Sequence, residues 1–300
     1  MRFVTFSRDG EARLGLTAGE QVVDLNLADP GLPSDMRAFL EAGAAALDGA
    51  VRVRERLAAG RLVSDALWPR GGLPLLAPIR NPSKIVAFGV NYLDHCHEAG
   101  IEPPREPVLF CKFPTSIVGP GEAIEWDPAV TASVDYEAEL AVVIGRRARH
   151  VAPEAAFDVI LGYTCANDVT ARDLQAGDGQ WVRGKSLDTF CPLGPEIVTK
   201  DELPEPGRLD ITCRVNGRVL QSSSTAKMIF GIPALISFIT RAFTLLPGDV
   251  ILTGTPHGTG AFRRPPVLLR DGDMVEVEIE GVGLLRNPCR EVTQAPVRPA

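Results

Sequence analysis

The stretch Asp135-Tyr136-Glu137-Ala138-Glu139-Leu140-Ala141-Val142-Val143-Ile144-Gly145 is the most informative in the chain. Its second half, Leu140–Ile144, is an unbroken apolar run rich in β-branched residues and closed by glycine, the pattern of a short strand. Its first half is acidic. Residues two apart in a strand share a face, so Asp135, Glu137 and Glu139 are expected to line up together. Three carboxylates on one face repel one another strongly unless a cation sits among them. The alternative is an exposed edge strand that carries acids. A second cluster follows at Ala166-Asn167-Asp168-Val169-Thr170-Ala171-Arg172-Asp173. There Asp168 stands just past an apolar strand, at a strand-to-helix junction. Two glutamates and an aspartate make an all-oxygen donor set, which suits Mg²⁺, Mn²⁺ or Ca²⁺ better than zinc.

Working outward, short Val/Ile-rich strands separated by Gly/Pro loops are expected at Ile85–Gly89, Val108–Lys112, Glu139–Ile144, Ile160–Cys165, Ile211–Val215, Val250–Thr253 and Met274–Ile279. Helical periodicity appears at Asn91–Ala99, Val169–Gln175 and Ile232–Phe243. Before residue 78 the pattern differs. Strands Phe3–Ser7 and Gln21–Leu25 precede a helix over Asp35–Ala42 capped by Ser34, and then the Ala- and Arg-rich Ala44–Ala59. The chain therefore reads as an α+β protein in three parts. These are a small amino-terminal α/β domain (1–78), a β-rich domain (79–292) and a flexible tail (293–300).

With 300 residues, 45% hydrophobic and 23% charged, the chain has a globular composition. Gly 29 and Pro 25 exceed the usual share and fit many turns between short strands. A net charge of −7 argues against a binder of nucleic-acid backbones, whose footprint is basic. The apolar runs are far shorter than a membrane span requires. The six cysteines form no C-x-x-C pair, so they read as reduced thiols. The amino terminus lacks the apolar core of a signal peptide, and a cytoplasmic protein is expected.

Gly179-Gln180-Trp181-Val182-Arg183-Gly184-Lys185-Ser186 matches the phosphate-binding pattern G-x-x-x-x-G-K-[ST]. That pattern works only between a buried strand and a helix. Here a polar, helical stretch precedes it, and Pro192 and Pro195 follow it. Nucleotide binding is rejected on that context.

Five segments, in order, resemble the fumarylacetoacetate hydrolase (fumarylacetoacetase) family: Gly89–His95, Asp135–Gly145, Asn167–Gln175, Gly184–Ser186 and Leu252–Pro256. The resemblance covers roughly residues 75–290, and Trp181–Lys200 looks most like the fumarylacetoacetase-domain-containing branch and its bacterial relatives. It implies a fumarylacetoacetase-type mixed β-roll, commonly a homodimer. It also implies Mg²⁺ or Mn²⁺ bound by a Glu-x-Glu pair and a later Asp, here Glu137, Glu139 and Asp168. His95 and Glu98, one helical turn apart, resemble the family's dyad for activating water or moving protons. Lys185 matches a catalytic position that stabilises an enolate, and Arg172, Gln175 and Thr255 match positions that hold substrate oxygens.

The implied function is a metal-dependent enzyme acting on small 2-oxo (or 2-hydroxy-2-enoic) dicarboxylates through a metal-stabilised enolate. The reaction is C–C cleavage, as in acylpyruvate hydrolysis or oxaloacetate decarboxylation, or keto–enol tautomerisation. The alternatives are a 2-hydroxyhepta-2,4-diene-1,7-dioate-type isomerase and a non-catalytic metal-binding relative. Substrate choice is expected in the loops around 99–107 and 257–266.

Overall fold

The computed structural model of the chain describes residues 1–62 and 64–293. Leu140–Ile144 lies inside a 12-stranded sheet. Its strand, Ala138–Ile144, pairs antiparallel with Ile160–Asn167 on one side and Val250–Leu252 on the other. Val250–Leu252 pairs in parallel with Ile85–Gly89, and Val108–Lys112 forms the edge beyond it.

The strand is apolar without alternation because both of its faces are covered. Leu140, Val142 and Ile144 pack with Ile211, Val275 and Val277 of a five-stranded sheet and with Leu235 and Ile239 of the helix Ile232–Ala242. Ala141 and Val143 pack with Phe39, Leu40 and Val53 of the helices Met36–Glu41 and Ala44–Ala58. Each fully buried aliphatic side chain here contributes about 1.5–3 kcal/mol. The α+β class holds, with helices set against the faces of sheets.

The amino-terminal strands extend the same sheet. Arg2–Arg8 pairs with both Glu11–Ala18 and Cys191–Thr199, and Phe3 and Leu14 share the second apolar cluster with Ala141 and Leu252.

Two local expectations change. The helix cap is Asp35, whose Oδ1 accepts the Ala38 N–H at 2.9 Å, and not Ser34. The helix expected from Val169 starts at Arg172 and runs to Asp178, because Thr170–Ala171 pairs with Val134–Asp135 instead. Extended backbone suits a β-branched residue such as Thr170. Cys191–Thr199 is a fully buried strand despite its two prolines. Of the expected tail, 294–300 lies outside the described residues. Among the described residues, no helix is long and apolar enough to cross a membrane.

Candidate functional site

Glu137, Glu139 and Asp168 converge, all three buried, with one oxygen from each lying within 4.8 Å of the others. The sheet brings them together. Glu139 stands opposite Ala166 in the central strand pair, and Asp168 follows directly on Ile160–Asn167. Between Asp135 and Ala138 the chain leaves regular strand geometry. The Glu137 N–H donates to Asn167 Oδ1 at 2.9 Å, and the Asp168 N–H donates to the Glu137 carbonyl at 2.8 Å.

That break corrects the expected three-acid face, because Asp135 does not join Glu137 and Glu139 in the convergent group. Glu139 Oε2 accepts the Gly254 N–H at 2.6 Å. Gly254 has φ +101°, and a Cβ there would come within 2.8 Å of the Asn91 side chain. Only glycine presents this N–H without strain.

Cations surround the carboxylates. Lys185 Nζ donates at 2.6 Å to both Glu137 Oε2 and Asp168 Oδ2. Lys112 Nζ donates to Asp168 Oδ1 at 2.6 Å. Arg172 donates to Glu137 Oε1 at 2.6 Å, to Asp135 Oδ2 at 2.9 Å and to Gln175 Oε1 at 3.0 Å. Lys112 belongs to none of the motifs read from sequence. The available signal is a lone lysine closing the run Val108-Leu109-Phe110-Cys111-Lys112, and it is almost fully buried. Lys185 arrives on the single-turn helix Val182–Lys185, preceded by the helix Arg172–Asp178. This arrangement lacks the strand that a phosphate-binding loop needs before it.

The electrostatics separate the two glutamates. Burial opposes ionisation of Glu137, but the Lys185 and Arg172 charges outweigh it and hold the carboxyl below its ordinary range. Glu139 moves the opposite way, raised well above the ordinary range by burial and then by Asp168 and Glu137. Lys185 stays charged because the Asp168 and Glu137 carboxylates outweigh its burial. Without a further cation, the charged form of Glu139 is therefore disfavoured. Three carboxylates, one of which needs a positive partner, fit a hard divalent cation.

Above this floor is a cavity of about 310 Å³ lined by Glu137, Glu139, Lys185, Gln175 and Thr255, and also by His95. The Thr255 hydroxyl donates to the Ala138 carbonyl at 2.9 Å and accepts from Gln221 at 2.8 Å. His95 comes from the helix Leu93–Ala99 and is buried, and its Nδ1 lies 3.7 Å from Glu98 Oε2. Glu98 does not line the cavity. Its two oxygens accept the Gly258 N–H at 3.1 and 2.9 Å. Burial opposes the charge of Glu98, but His95 and that amide outweigh it and lower its pKa. Trp181, Ile101 and Phe262 form the apolar part of the wall. His257 sits beside Asp94, its Nδ1 3.8 Å from Asp94 Oδ2.

Residues 84–290 match the family described as fumarylacetoacetate (FAA) hydrolase C-terminal. A mitochondrial oxaloacetate tautomerase of Xenopus laevis is 47% identical over 294 residues, covering 96% of this chain and 90% of that protein. Among solved structures, a 2-hydroxyhepta-2,4-diene-1,7-dioate isomerase from Mycobacterium marinum has a TM-score of 0.77 at 36% identity, covering 98% of this chain and 100% of the other. Maleylpyruvate hydrolase from Sphingobium sp. SYK-6, in complex with manganese(II) ion and pyruvate, has a TM-score of 0.78 at 31% identity with the same coverage. With five motifs in order, the acidic triad in place and these likenesses along nearly its whole length, the chain belongs to the fumarylacetoacetate hydrolase family.

Proposed function

We propose that this protein is a divalent-metal-dependent enzyme of small 2-oxo dicarboxylates, and that its reaction is keto–enol tautomerisation of an oxaloacetate-like acid. The observation that carries the reading is the buried convergence of Glu137, Glu139 and Asp168 on the floor of a cavity whose wall holds His95. Mg²⁺ or Mn²⁺ held by these three acids supplies a Lewis acid for the carboxylate and keto oxygens of the substrate; Ca²⁺ is the third candidate.

Lys185, charged and beside the same oxygens, stabilises the negative charge of the enolate. His95 carries the proton between carbon and oxygen, with the Glu98 carboxylate beside its Nδ1. Gln175, whose Oε1 is taken by Arg172, offers its amide N–H groups to the substrate carboxylate. Thr255 borders that position. Arg172 is oriented by Asp135, Glu137 and Gln175 and lines the cavity, so a guanidinium N–H left over from those bonds binds a substrate oxygen.

One observation favours tautomerisation over C–C hydrolysis: the Xenopus relative is itself named an oxaloacetate tautomerase. The manganese–pyruvate complex of the maleylpyruvate hydrolase supports hydrolysis as the second reading. The test follows the enol absorbance of oxaloacetate with Mg²⁺ or Mn²⁺, beside pyruvate release from acetylpyruvate and from oxaloacetate. Metal-dependent ketonisation without pyruvate release supports the first reading. Rapid acylpyruvate cleavage replaces it with the second.

Residues 1–78 are read as an accessory unit of the catalytic unit 79–292, supported by a family match that begins at residue 84. A homodimer is supported by the edge strand Val108–Lys112, where Leu109 and the following Phe113 are exposed; sedimentation tests it. The six unpaired cysteines fit a reducing compartment. Within that class we read the cytoplasm, whereas the Xenopus relative is named mitochondrial, and fractionation of the host cell decides between them.

A further inference from the structure

Asp135 is the acid of the opening motif that the metal set leaves over. Its side chain is fully buried, and both of its oxygens are used. Oδ1 accepts the Tyr136 N–H at 2.9 Å and the Gly260 N–H at 2.7 Å. Oδ2 accepts the Ala261 N–H at 2.9 Å and Arg172 Nε at 2.9 Å. Arg172 continues to Glu137 Oε1 at 2.6 Å. One carboxylate thus touches the loop 258–262 and, through a guanidinium, a floor glutamate.

The same loop reaches the proton carrier. Its Gly258 N–H is held by Glu98, one turn after His95. Its Phe262 ring meets the His95 ring edge-on, with centroids 5.2 Å apart at 88°. The seat is tight, since a Cβ on Gly260 would lie 2.0 Å from the Val267 carbonyl oxygen and 2.5 Å from Asp135 Oδ1.

We propose that Asp135 is a positioning residue that ties the two halves of the site together, seating the 258–262 loop against His95 while orienting Glu137 through Arg172. The inference rests on the metal and proton roles proposed above. Substitution by asparagine probes it because the site presents only donors to this side chain: three backbone N–H groups and a guanidinium. An amide offers one acceptor oxygen, so whichever way it turns, its NH₂ faces two of those donors.

The experiment compares wild type, Asp135→Asn and Ala261→Pro. Ala261→Pro removes one donor to Asp135 Oδ2 and sets the ring Cδ where the N–H pointed, so it loosens the loop from Asp135 while the Arg172 bond to Glu137 remains. The readouts are Mn²⁺ affinity of the metal-free protein by calorimetry, the His95 ring resonances by NMR, and kcat with KM at saturating Mn²⁺. Asp135→Asn is expected to weaken Mn²⁺ binding about tenfold or more, as loss of a group that orients a ligand typically does. It is also expected to shift the His95 resonances and lower kcat more than it raises KM. Ala261→Pro is expected to shift His95 and lower kcat while Mn²⁺ affinity stays within about twofold.

Wild-type Mn²⁺ affinity in Asp135→Asn, or unmoved His95 resonances in Ala261→Pro, overturns the inference while leaving the proposed function standing. A wild type that binds no divalent metal overturns the proposed function itself. Should Asp135→Asn fail to fold, Arg172→Gln takes its place in the metal titration, and unchanged affinity there overturns the inference equally.

Discussion

The floor and the roof of the cavity are built by opposite means. The floor is anchored on central strands paired on both sides, which carry Glu139 and adjoin Glu137 and Asp168, while Lys112 comes from the edge strand and Lys185 from a single-turn helix, and all five are buried. The roof stands on the seven-residue helix Leu93–Ala99 and on loops, with Ile101 43% and Phe262 41% exposed. A sheet holds ligand oxygens to a fixed geometry, which a metal site needs. Loops carried by a rigid scaffold suit the recognition of variable substrates. Related active sites can therefore keep one floor under different roofs, in line with the tautomerase, isomerase and hydrolase names among the relatives.

The sharpest way to break the floor alone is Glu139→Gln. Metal binding should weaken by more than about 100-fold, beyond the cost of losing a supporting group, and turnover should vanish with it; a Mn²⁺ titration checks this. On the roof, His95→Ala should lower turnover by about 10²–10⁴-fold and leave metal affinity near wild type. Equal losses of both would erase the distinction between the two regions.

Lys185→Met tests whether the floor has a catalytic member that is not a ligand. Turnover should fall about 10²–10³-fold. Mn²⁺ affinity should not fall, since removing a positive charge beside carboxylates does not weaken their attraction for a cation.

Metal affinity should also depend on pH through Glu139. Burial and its acidic neighbours raise this carboxyl, so the charged form that a metal requires is disfavoured in the metal-free site and binding should release a proton. Affinity should therefore rise by about tenfold per pH unit below the raised value and level off above it. Calorimetry in buffers of different ionisation enthalpy counts the released proton. The smallest change is expected from Phe262→Leu, a half-exposed roof residue. Stability should stay within about 0.5 kcal/mol, and KM and its substrate dependence should move more than kcat.

Much of the floor is legible in the amino-acid sequence. The Glu137–Glu139 spacing and the position of Asp168 after an apolar strand depend on local periodicity, and Leu140–Ile144 announces a strand by composition alone. Asp135 shares that periodicity and yet turns to Gly260 and Ala261, because the strand breaks after it to let Asn167 take the Glu137 N–H. Lys112 escapes a sequence reading for a related reason: it looks like the end of a strand, and its partner, Asp168, lies far along the chain.

The sequence by itself therefore determined the family, the strand periods, the acidic donor set and its preference for a hard cation, since these follow from residue type and short spacing. Only the tertiary fold makes the surroundings of Glu139 disfavour its charge while those of Glu137 favour it, bridges Asp135 and Glu137 with Arg172, and joins His95 to the floor through one loop. Those outcomes depend on burial and on distances between residues far apart in sequence, which Coulomb attraction and desolvation read and local periodicity does not.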